Sequence, residues 1–300
     1  MITPPYLQPG DKIALISTAR KVSEAEMAPA IQLLESWQLH VHIGKHLYEG
    51  HHQFAGTPGM RAMDLQSAID DPDIKAIICT RGGYGTANIL DNINFEPLKI
   101  HPKWIVGFSD VTALHMHVNA LGVSSIHAIM PILFAQNNAQ KSINSLKNAL
   151  FGNYQSISFD AHKQNINAKN STGMLIGGNL SVLHTIIGTS SDMDYSGKIL
   201  LIEDIDEYLY HIHRMMHHLK RARKLENLEG LLVGHFTNMK DNTVPFGSNA
   251  FEIISECVAE YGYPVYFGFP AGHEFDNMAI YMGQKCTIDN TGTNISLNFA

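Results

Sequence analysis

The chain has 300 residues, a formal charge of −7 at neutral pH and 45% hydrophobic residues. Single domains commonly have about 100–200 residues, so this length predicts two domains in a globular protein. The acidic balance argues against a nucleic-acid binder or a protein attracted to an anionic membrane surface. We therefore expect neither partner.

The N-terminal sequence and the cysteines bear on the compartment. MITPPYLQPGDKIALIS has no basic region before its short apolar segment, and no run in the chain approaches the about 18 apolar residues that span a membrane. Cys79, Cys257 and Cys286 are widely spaced in apolar or strand-like contexts, which indicates reduced, mostly buried thiols rather than a disulfide framework. These features predict a cytoplasmic protein.

Short apolar runs alternate with amphipathic stretches through the first half of the chain. KIALIS (12–17) predicts a buried strand, and Ser23 with Glu26 predicts a capping box at the start of a helix. Further strands are predicted at 40–43, 73–80 and 104–107, and helices at 60–70 and from Asp110 onward. This alternation is typical of βαβ units and predicts a parallel sheet covered on both faces.

From about Phe151 the alternation ends. Residues 151–173 are polar, rich in Asn and Ser, and without helical periodicity, which predicts a linker into a second domain. We expect domains at 1–154 and 155–300. In the second domain the patterns predict strands at 198–203 and 228–234, a helix at 207–224 and antiparallel strands after Tyr281.

The stretch KWIVGFSDVTALHMH (103–117) places Ser109 between an apolar strand and a helix. A serine nucleophile needs a base, a group that holds the base, and backbone donors for the oxyanion. A strand-to-helix corner supplies free N–H groups, starting with that of Asp110, at the sheet edge where ligands bind. The alternative is that Ser109 is an N-cap, and this stretch alone favours the cap.

A second corner lies in IICTRGGYGTANIL (77–90). Gly82, Gly83 and Gly85 allow the backbone to approach a ligand closely with its N–H groups turned outward. The loop could hold a phosphate, but it lacks the Gly-Lys-Ser/Thr end of the nucleotide P-loop. Beside Ser109 in one sheet, it could supply the second oxyanion donor.

The second domain offers an acid and a base. Glu203, Asp204, Asp206 and Glu207 end an apolar strand, where a carboxylate would be fixed and half buried, although a solvated cluster before a helix is the alternative. His273 lies in a Gly/Pro-rich loop after a strand, a context that separates it from most of the 17 histidines. A lone loop histidine is nevertheless more often structural than catalytic.

The predicted helix at 207–224 carries His213 and His217 at positions i and i+4, a spacing that can hold a metal ion from one helical face. The HExxH motif is absent, and no carboxylate is placed to complete a site. We interpret these histidines as a helix surface with modest metal affinity at most.

Five segments of the chain form a recognisable series: RGGYG (81–85), GFSDVTALH (107–115), GGNLSVL (177–183), IEDIDEYLYHIHRM (202–215) and GFPAGH (268–273). In this order they resemble the LD-carboxypeptidases, a family of serine peptidases that includes the microcin C resistance peptidases. The resemblance runs from about Lys12 to the end of the chain. It implies an α/β protein with a flavodoxin-like parallel-sheet N-terminal domain and a smaller β-rich C-terminal domain.

The resemblance also implies the roles of individual residues. Ser109 matches the nucleophile, Glu203 the acid and His273 the base of a Ser-Glu-His triad assembled between the domains. The backbone amides of Gly83 and Asp110 match the oxyanion hole. The resemblance implies neither a metal nor another cofactor.

Typical members of the family are cytoplasmic and remove the terminal D-alanine of murein tetrapeptide, at a bond that follows an L-configured centre, in cell-wall recycling. A small peptide is therefore the expected partner, and a homodimer is left open. Candidates for contact with the substrate are Arg81, Gly82 and Tyr84. The segment ISTAR (16–20) ends its strand at the same sheet edge and is expected to line the pocket.

Two positions depart from the family pattern: His213 stands where an acid is common, and Ala128 follows His127 where a glycine is usual. Both weaken the assignment of the substrate more than that of the reaction. The alternatives are a peptidase that acts on an aminoacyl-nucleotide conjugate and a non-catalytic small-ligand-binding protein. An α/β-hydrolase esterase is disfavoured, because GFSDV lacks the G-x-S-x-G elbow.

Overall fold

A computed structural model describes residues 1–154 and 156–299 of the chain. Two compact units are present: Met1–Tyr154 with Met278–Gly283, and Gln155–Asn277 with Gln284–Ala300. The domain boundaries 1–154 and 155–300 differ from these units by one short segment, 278–283, which belongs to the first unit.

The first part of the chain alternates strands and helices as its sequence predicts. In order, the elements are β1 (Lys12–Ile16), α1 (Glu24–Ser36), β2 (His40–Ile43), β3 (Gly50–His51), β4 (Phe54–Ala55), α2 (Pro58–Asp70), β5 (Ile74–Cys79), α3 (Pro97–Ile100), β6 (Trp104–Gly107), α4 (Thr112–Ala120), β7 (Ser125–His127) and α5 (Gln140–Leu150). The predicted capping box is confirmed, since the Ser23 side chain accepts from the Glu26 N–H and the Glu26 carboxylate accepts from the Ser23 N–H.

The later part contains β8 (Ile157–Asp160), β9 (Ser171–Asn179), α6 (Leu180–Ile186), β10 (Lys198–Ile205), α7 (Leu209–Arg221), β11 (Gly230–Thr237), α8 (Ala250–Val258), β12 (Val265–Phe267), β13 (Ile280–Met282), β14 (Lys285–Asn290) and β15 (Asn294–Phe299). None of the helices in these described residues is long and apolar enough to cross a membrane.

The sheet of the first unit has the strand order β13-β7-β6-β5-β1-β2. Five of its strands are parallel to one another: β1, β2, β5, β6 and β7. The sixth, β13, pairs antiparallel with β7 at the edge. The order of the parallel strands is the flavodoxin-like one, in which the chain passes from β1 to β2 on one side and then to β5, β6 and β7 on the other. The predicted fold class is confirmed, and the loops after β1 and β5 flank the point where this direction reverses.

The second unit has a seven-stranded mixed sheet in the order β12-β11-β10-β9-β14-β15-β8. Strands β9 to β12 are parallel, while β14 and β15 form the predicted antiparallel pair. The apolar run of β10 is buried up to Asp204, so its carboxyl end is fixed inside the unit.

The linker predicted at 151–173 is wrong over two stretches. Residues Ile157–Asp160 form β8, and Ser171 begins β9. Strand β8 is a short edge strand whose side chains alternate between buried and exposed. Its partner, β15, lies more than a hundred residues further along the chain. The local sequence therefore offers only four alternating residues, too few for a periodicity to predict a strand.

Candidate active site

Ser109 lies at a sharp turn between β6 and α4. A single 3-10 turn, Ser109–Val111, separates the two elements, and Ser109 has φ of 62°, in the left-handed region that non-glycine residues rarely adopt. An N-cap has extended backbone, and here that residue is Phe108, so the N-cap interpretation of Ser109 is wrong. A serine held in a strained strand-to-helix turn is the local geometry of an activated nucleophile.

The glycine loop after β5 packs directly on this serine. A methyl group built on Gly82 would stand 3.3 Å from Ser109 Oγ, closer than most such contacts, so a side chain here would push against the serine. The next residue, Gly83, is exposed and has φ of 114°, a conformation that L side chains rarely adopt. The loop therefore presents its backbone beside Ser109, as the sequence predicted.

The carboxylate of Asp110 joins the two corners. It is buried and accepts the backbone N–H of Thr86 at 2.8 Å, and its negative charge faces the buried Arg61 guanidinium. Burial raises the pKa of Asp110, although the hydrogen bonds from Thr86 and Gly85 and the charge of Arg61 oppose that shift. The side chain of Asp110 thus holds the glycine loop in place, while its backbone N–H lies in the first turn after the strand.

Behind the serine, His115 braces the end of β6. Its Nε2 lies 2.8 Å from the Gly107 carbonyl oxygen and its Nδ1 lies 2.9 Å from Ser125 Oγ. Burial lowers the pKa of His115 to about 3, against the hydrogen bond to Gly107, with the nearby His127 lowering it further. The ring is therefore neutral, so Nε2–H donates to Gly107 and Nδ1 accepts from Ser125. The sequence did not single out His115, although the motif GFSDVTALH ends on it.

In the second unit, Glu203 and His273 form a hydrogen-bonded pair. His273 Nδ1 lies 2.8 Å from Glu203 Oε2, the Glu203 side chain is fully buried, and the His273 side chain is 15% exposed. Burial alone would lower the pKa of His273, but the charge and hydrogen bond of Glu203, together with the charges of Asp204 and Asp206, raise it above its ordinary value. The carboxylate orients the imidazole and favours its charged form.

The glycine before His273 makes this pairing possible. Gly272 has φ of 124°, and a methyl group built on it would stand 2.9 Å from Glu203 Oε2. Its N–H donates to the Asn277 side chain at 3.1 Å, which fixes the loop. The segment GFPAGH therefore needs glycine at this position because the loop crosses directly over the acid.

The four acidic residues after β10 separate into different roles. Glu203 pairs with His273, while Asp204 points to the other side of the strand and accepts from the Asn179 side chain at 3.0 Å and the Ser181 N–H at 2.9 Å. Asp206 and Glu207 are surface groups that lie within ion-pair distance of Lys240 and His211. The alternative of a solvated cluster applies to the last two alone.

The remaining candidates are more exposed. Tyr84 is 55% exposed beside Phe54, and Arg81 directs Nη1 at the Lys21 carbonyl oxygen, 3.5 Å away. The rings of His213 and His217 lie 4.3 Å apart on α7. Within 1–154 and 156–299, no group of three or more His, Cys, Asp or Glu side chains is arranged to hold a metal ion. Ala128 is buried, and its N–H donates to the Gly107 carbonyl at 3.0 Å.

The cysteines do not compete for the role of nucleophile. Cys79, Cys257 and Cys286 are buried and form no disulfide, as predicted. Burial raises the pKa of both Cys79 and Cys286 to about 12, so their thiols stay protonated.

A strained serine beside a glycine loop in one unit, and a buried carboxylate bonded to an imidazole in the other, are the parts from which serine-type hydrolases are built. Residues 13–128 match the N-terminal domain of the LD-carboxypeptidases, and residues 172–288 match their C-terminal domain. The chain belongs to the LD-carboxypeptidase family, whose members are serine-type hydrolases.

Relatives of this chain carry carboxypeptidase names. A probable murein peptide carboxypeptidase of Bacillus subtilis is 31% identical, over 95% of this chain and 91% of its own length. The murein tetrapeptide carboxypeptidase of Pseudomonas aeruginosa is 28% identical, over 94% of each chain.

Solved structures share the fold. The muramoyltetrapeptide carboxypeptidase of Oxalobacter formigenes has a TM-score of 0.87 at 27% identity, covering 96% of this chain and 98% of its own. The microcin C7 self-immunity protein MccF, in complex with aspartyl sulfamoyl adenosine, has a TM-score of 0.89 at 21% identity, covering 100% of this chain and 99% of its own. The likeness to MccF shows the fold alone.

Proposed function

We propose that this protein is an LD-carboxypeptidase that releases the terminal D-alanine of murein tetrapeptide. The observation that carries the proposal is the Glu203–His273 pair, since a fully buried acid bonded to Nδ1 leaves Nε2 as the nitrogen that exchanges protons with a substrate. The names of the Bacillus subtilis and Pseudomonas aeruginosa relatives support the substrate. The proposal includes a cytoplasmic location and a part in cell-wall recycling, and the homodimer stays a prediction.

In the proposed mechanism Ser109 and His273 act together. His273 Nε2 takes the Ser109 proton as the hydroxyl attacks the scissile carbonyl, and the oxyanion accepts the N–H groups of Gly83 and Asp110. Each such donor typically contributes about 3–4 kcal/mol to transition-state stabilisation. His273 then protonates the amine of the departing D-alanine, and water hydrolyses the acyl-enzyme. Glu203 holds the tautomer of His273 and stabilises its charged form.

The first test is Ser109→Ala with release of D-alanine from murein tetrapeptide as the readout. We expect kcat to fall by about 10⁴-fold or more, because the nucleophile is lost, while thermal unfolding changes little. Ser67→Ala, at an exposed position on α2, serves as the control and should keep full activity. Activity that survives Ser109→Ala would refute the mechanism.

The alternative within the family, a peptidase of aminoacyl-nucleotide conjugates, is separated by substrate. Wild-type protein that cleaves aspartyl sulfamoyl adenosine and leaves murein tetrapeptide intact would favour that alternative. A non-catalytic ligand-binding protein is separated by a fluorophosphonate probe, which should label Ser109 in the wild type and nothing in Ser109→Ala.

A further inference from the structure

A carboxypeptidase must recognise the carboxylate that follows the scissile bond, and neither the proposed triad nor the proposed oxyanion hole does so. The obvious candidate from the sequence is Arg81, but its guanidinium is directed at the Lys21 carbonyl and lies near the Glu26 carboxylate. That arrangement makes Arg81 a brace between the loops that follow β1 and β5.

Arg20, the last residue of ISTAR, occupies a different position. Its side chain is exposed and lies flat on Gly83, since a methyl group built on that glycine would stand 2.6–2.7 Å from Arg20 Cγ, Cδ and Nε. In the described part of the chain the Arg20 guanidinium forms neither an ion pair nor a hydrogen bond. A cation therefore lies against the residue whose N–H faces the proposed oxyanion.

The backbone of Arg20 is held by its neighbours. Ala19 and Lys21 are hydrogen-bonded to Ala55 and Gln53, so that Arg20 forms an antiparallel bridge with Phe54. This short ladder fixes the backbone of Arg20, and the side chain packs on Gly83 from Cγ to Nε. Less side-chain freedom is then lost when the guanidinium binds an anion.

The topology places this cation where ligands bind in such sheets. Arg20 follows β1 and Gly83 follows β5, and these two strands are neighbours at the point where the winding direction reverses. The loops on either side of such a point diverge and leave a crevice at the carboxyl ends of the strands. Arg20 places a positive charge there, although the whole chain carries −7.

The upper limit on the distance between Arg20 and Ser109 allows a ligand of one residue between them. Gly82 faces Ser109 and Gly83 faces Arg20, and since consecutive Cα atoms are about 3.8 Å apart, Arg20 Nε lies at most about 13 Å from Ser109 Oγ. The terminal carboxylate of a peptide is about 4 Å from its scissile carbonyl carbon, and the Nη atoms of an arginine reach about 2 Å beyond its Nε.

We infer that Arg20 is the residue that binds the terminal carboxylate of the substrate, and thereby makes the enzyme a carboxypeptidase rather than an endopeptidase. The planar guanidinium matches a carboxylate with two parallel hydrogen bonds. This inference rests on the proposed function, because it assigns a subsite of the same active site.

The test measures binding to Ser109→Ala protein, so that it does not depend on turnover. Two ligands are compared, murein tetrapeptide with its free terminal carboxylate and the same peptide with a terminal carboxamide. Adding Arg20→Ala should weaken binding of the acid by about 10- to 100-fold, as expected for one charge-assisted pair, and leave the amide within about twofold. Arg20→Lys should restore part of the loss, and Lys21→Ala, the neighbouring cation, should discriminate between the peptides as the parent does.

Equal weakening of both ligands by Arg20→Ala would show that Arg20 merely supports Gly83 and would overturn the inference, as would unchanged binding of both. The proposed function fails by a separate measurement: wild-type protein that releases no D-alanine from the tetrapeptide. Arg20 variants in the wild-type background should also raise KM for the acid with little change in kcat.

Discussion

At the scale of single residues, the proposed mechanism makes the rate depend on the protonation state of His273, whose pKa is raised. A general base must be unprotonated, so activity should rise with pH as His273 loses its proton. Burial lowers this pKa, and the negative charges around the ring, Glu203 foremost, raise it by more. The acid limb of kcat/KM should consequently lie above the ordinary histidine value of about 6.5.

Glu203→Gln removes the charge that stabilises the imidazolium and keeps the shape of the side chain. We expect the acid limb of kcat/KM to move to lower pH, toward the ordinary histidine range, and kcat to fall by about 10³- to 10⁴-fold. The measurement is a pH–rate profile of both proteins from pH 5 to about 9. A limb that stays in place would show that Glu203 is not the partner that sets the His273 pKa. Glu207→Gln, on a surface carboxylate paired with His211, is the control and should leave the profile unchanged.

The choice among similar residues could be predicted only in part. The sequence pointed to His273 among 17 histidines by its loop and to Glu203 among four acids by resemblance. It could not show that Asp204 faces the opposite side of β10, since adjacent strand residues alternate but nothing local says which face is which. It did not single out Arg20 within ISTAR, because its position on Gly83 arises from two loops some sixty residues apart in the chain.

At the scale of secondary-structure elements, β6 and α4 form a strand–turn–helix motif with Ser109 in the turn. His115, from the first turns of α4, reaches back to the Gly107 carbonyl at the end of β6. The ring is fully buried, and its lowered pKa means that the unfolded chain binds a proton that the folded chain does not between about pH 3 and 6.5. Stability should therefore rise with pH across this window.

His115→Gln tests this brace. At pH 7.5 the variant should be less stable by about 1–3 kcal/mol, because a buried hydrogen bond is lost. As pH falls below 6.5, the free energy of unfolding of the wild type should decrease by about 1.4 kcal/mol per pH unit, and that of the variant should lack this decrease. The stability difference between the two proteins should therefore shrink or reverse at pH 4.5. Urea unfolding at both pH values measures it. A constant difference would show that His115 does not stay neutral in the folded protein.

Element prediction succeeded where the periodicity was long and failed where structure depended on distant partners. The strand at 104–107 and the capping box of α1 were predicted residue by residue. The helix expected from Asp110 begins instead at Thr112, because the chain first makes the 3-10 turn that holds Ser109 at positive φ. No pattern of apolar residues encodes such a turn, which is fixed by packing against Gly82 and by the Asp110 side chain.

At the scale of the whole molecule, the chain returns from the second unit to complete the sheet of the first. Strand β13 pairs with β7 and buries Tyr281 against Trp104, with ring centroids 5.3 Å apart. The Tyr281 hydroxyl donates to the Ala149 carbonyl at 2.7 Å, and its side chain is almost fully buried. A segment near the C-terminus is thus part of the core of the unit that carries Ser109.

Tyr281→Ala should cost about 3–5 kcal/mol of unfolding free energy, since it leaves a large cavity in a well-packed core and one unsatisfied carbonyl. Chemical unfolding followed by tryptophan fluorescence reports on this unit, because both tryptophans, Trp37 and Trp104, lie in it. Tyr208→Ala, at a partly exposed position, should change stability by no more than about 0.5 kcal/mol. A loss below about 1 kcal/mol for Tyr281→Ala would mean that β13 contributes little to the first unit.

The amino-acid pattern was enough to predict the α/β class, the order of strands and helices in the first half, and the corners at which Ser109, the glycine loop, Glu203 and His273 lie. These follow from local periodicity, glycine content and strand ends, which are properties of neighbouring residues. The folded chain was needed to show the conformation of Ser109, the pairing of Glu203 with His273 across 70 residues, and the place of Arg20 on Gly83. Those features arise from contacts between segments far apart in the chain, and a short stretch of sequence holds no record of which distant segment will cover it.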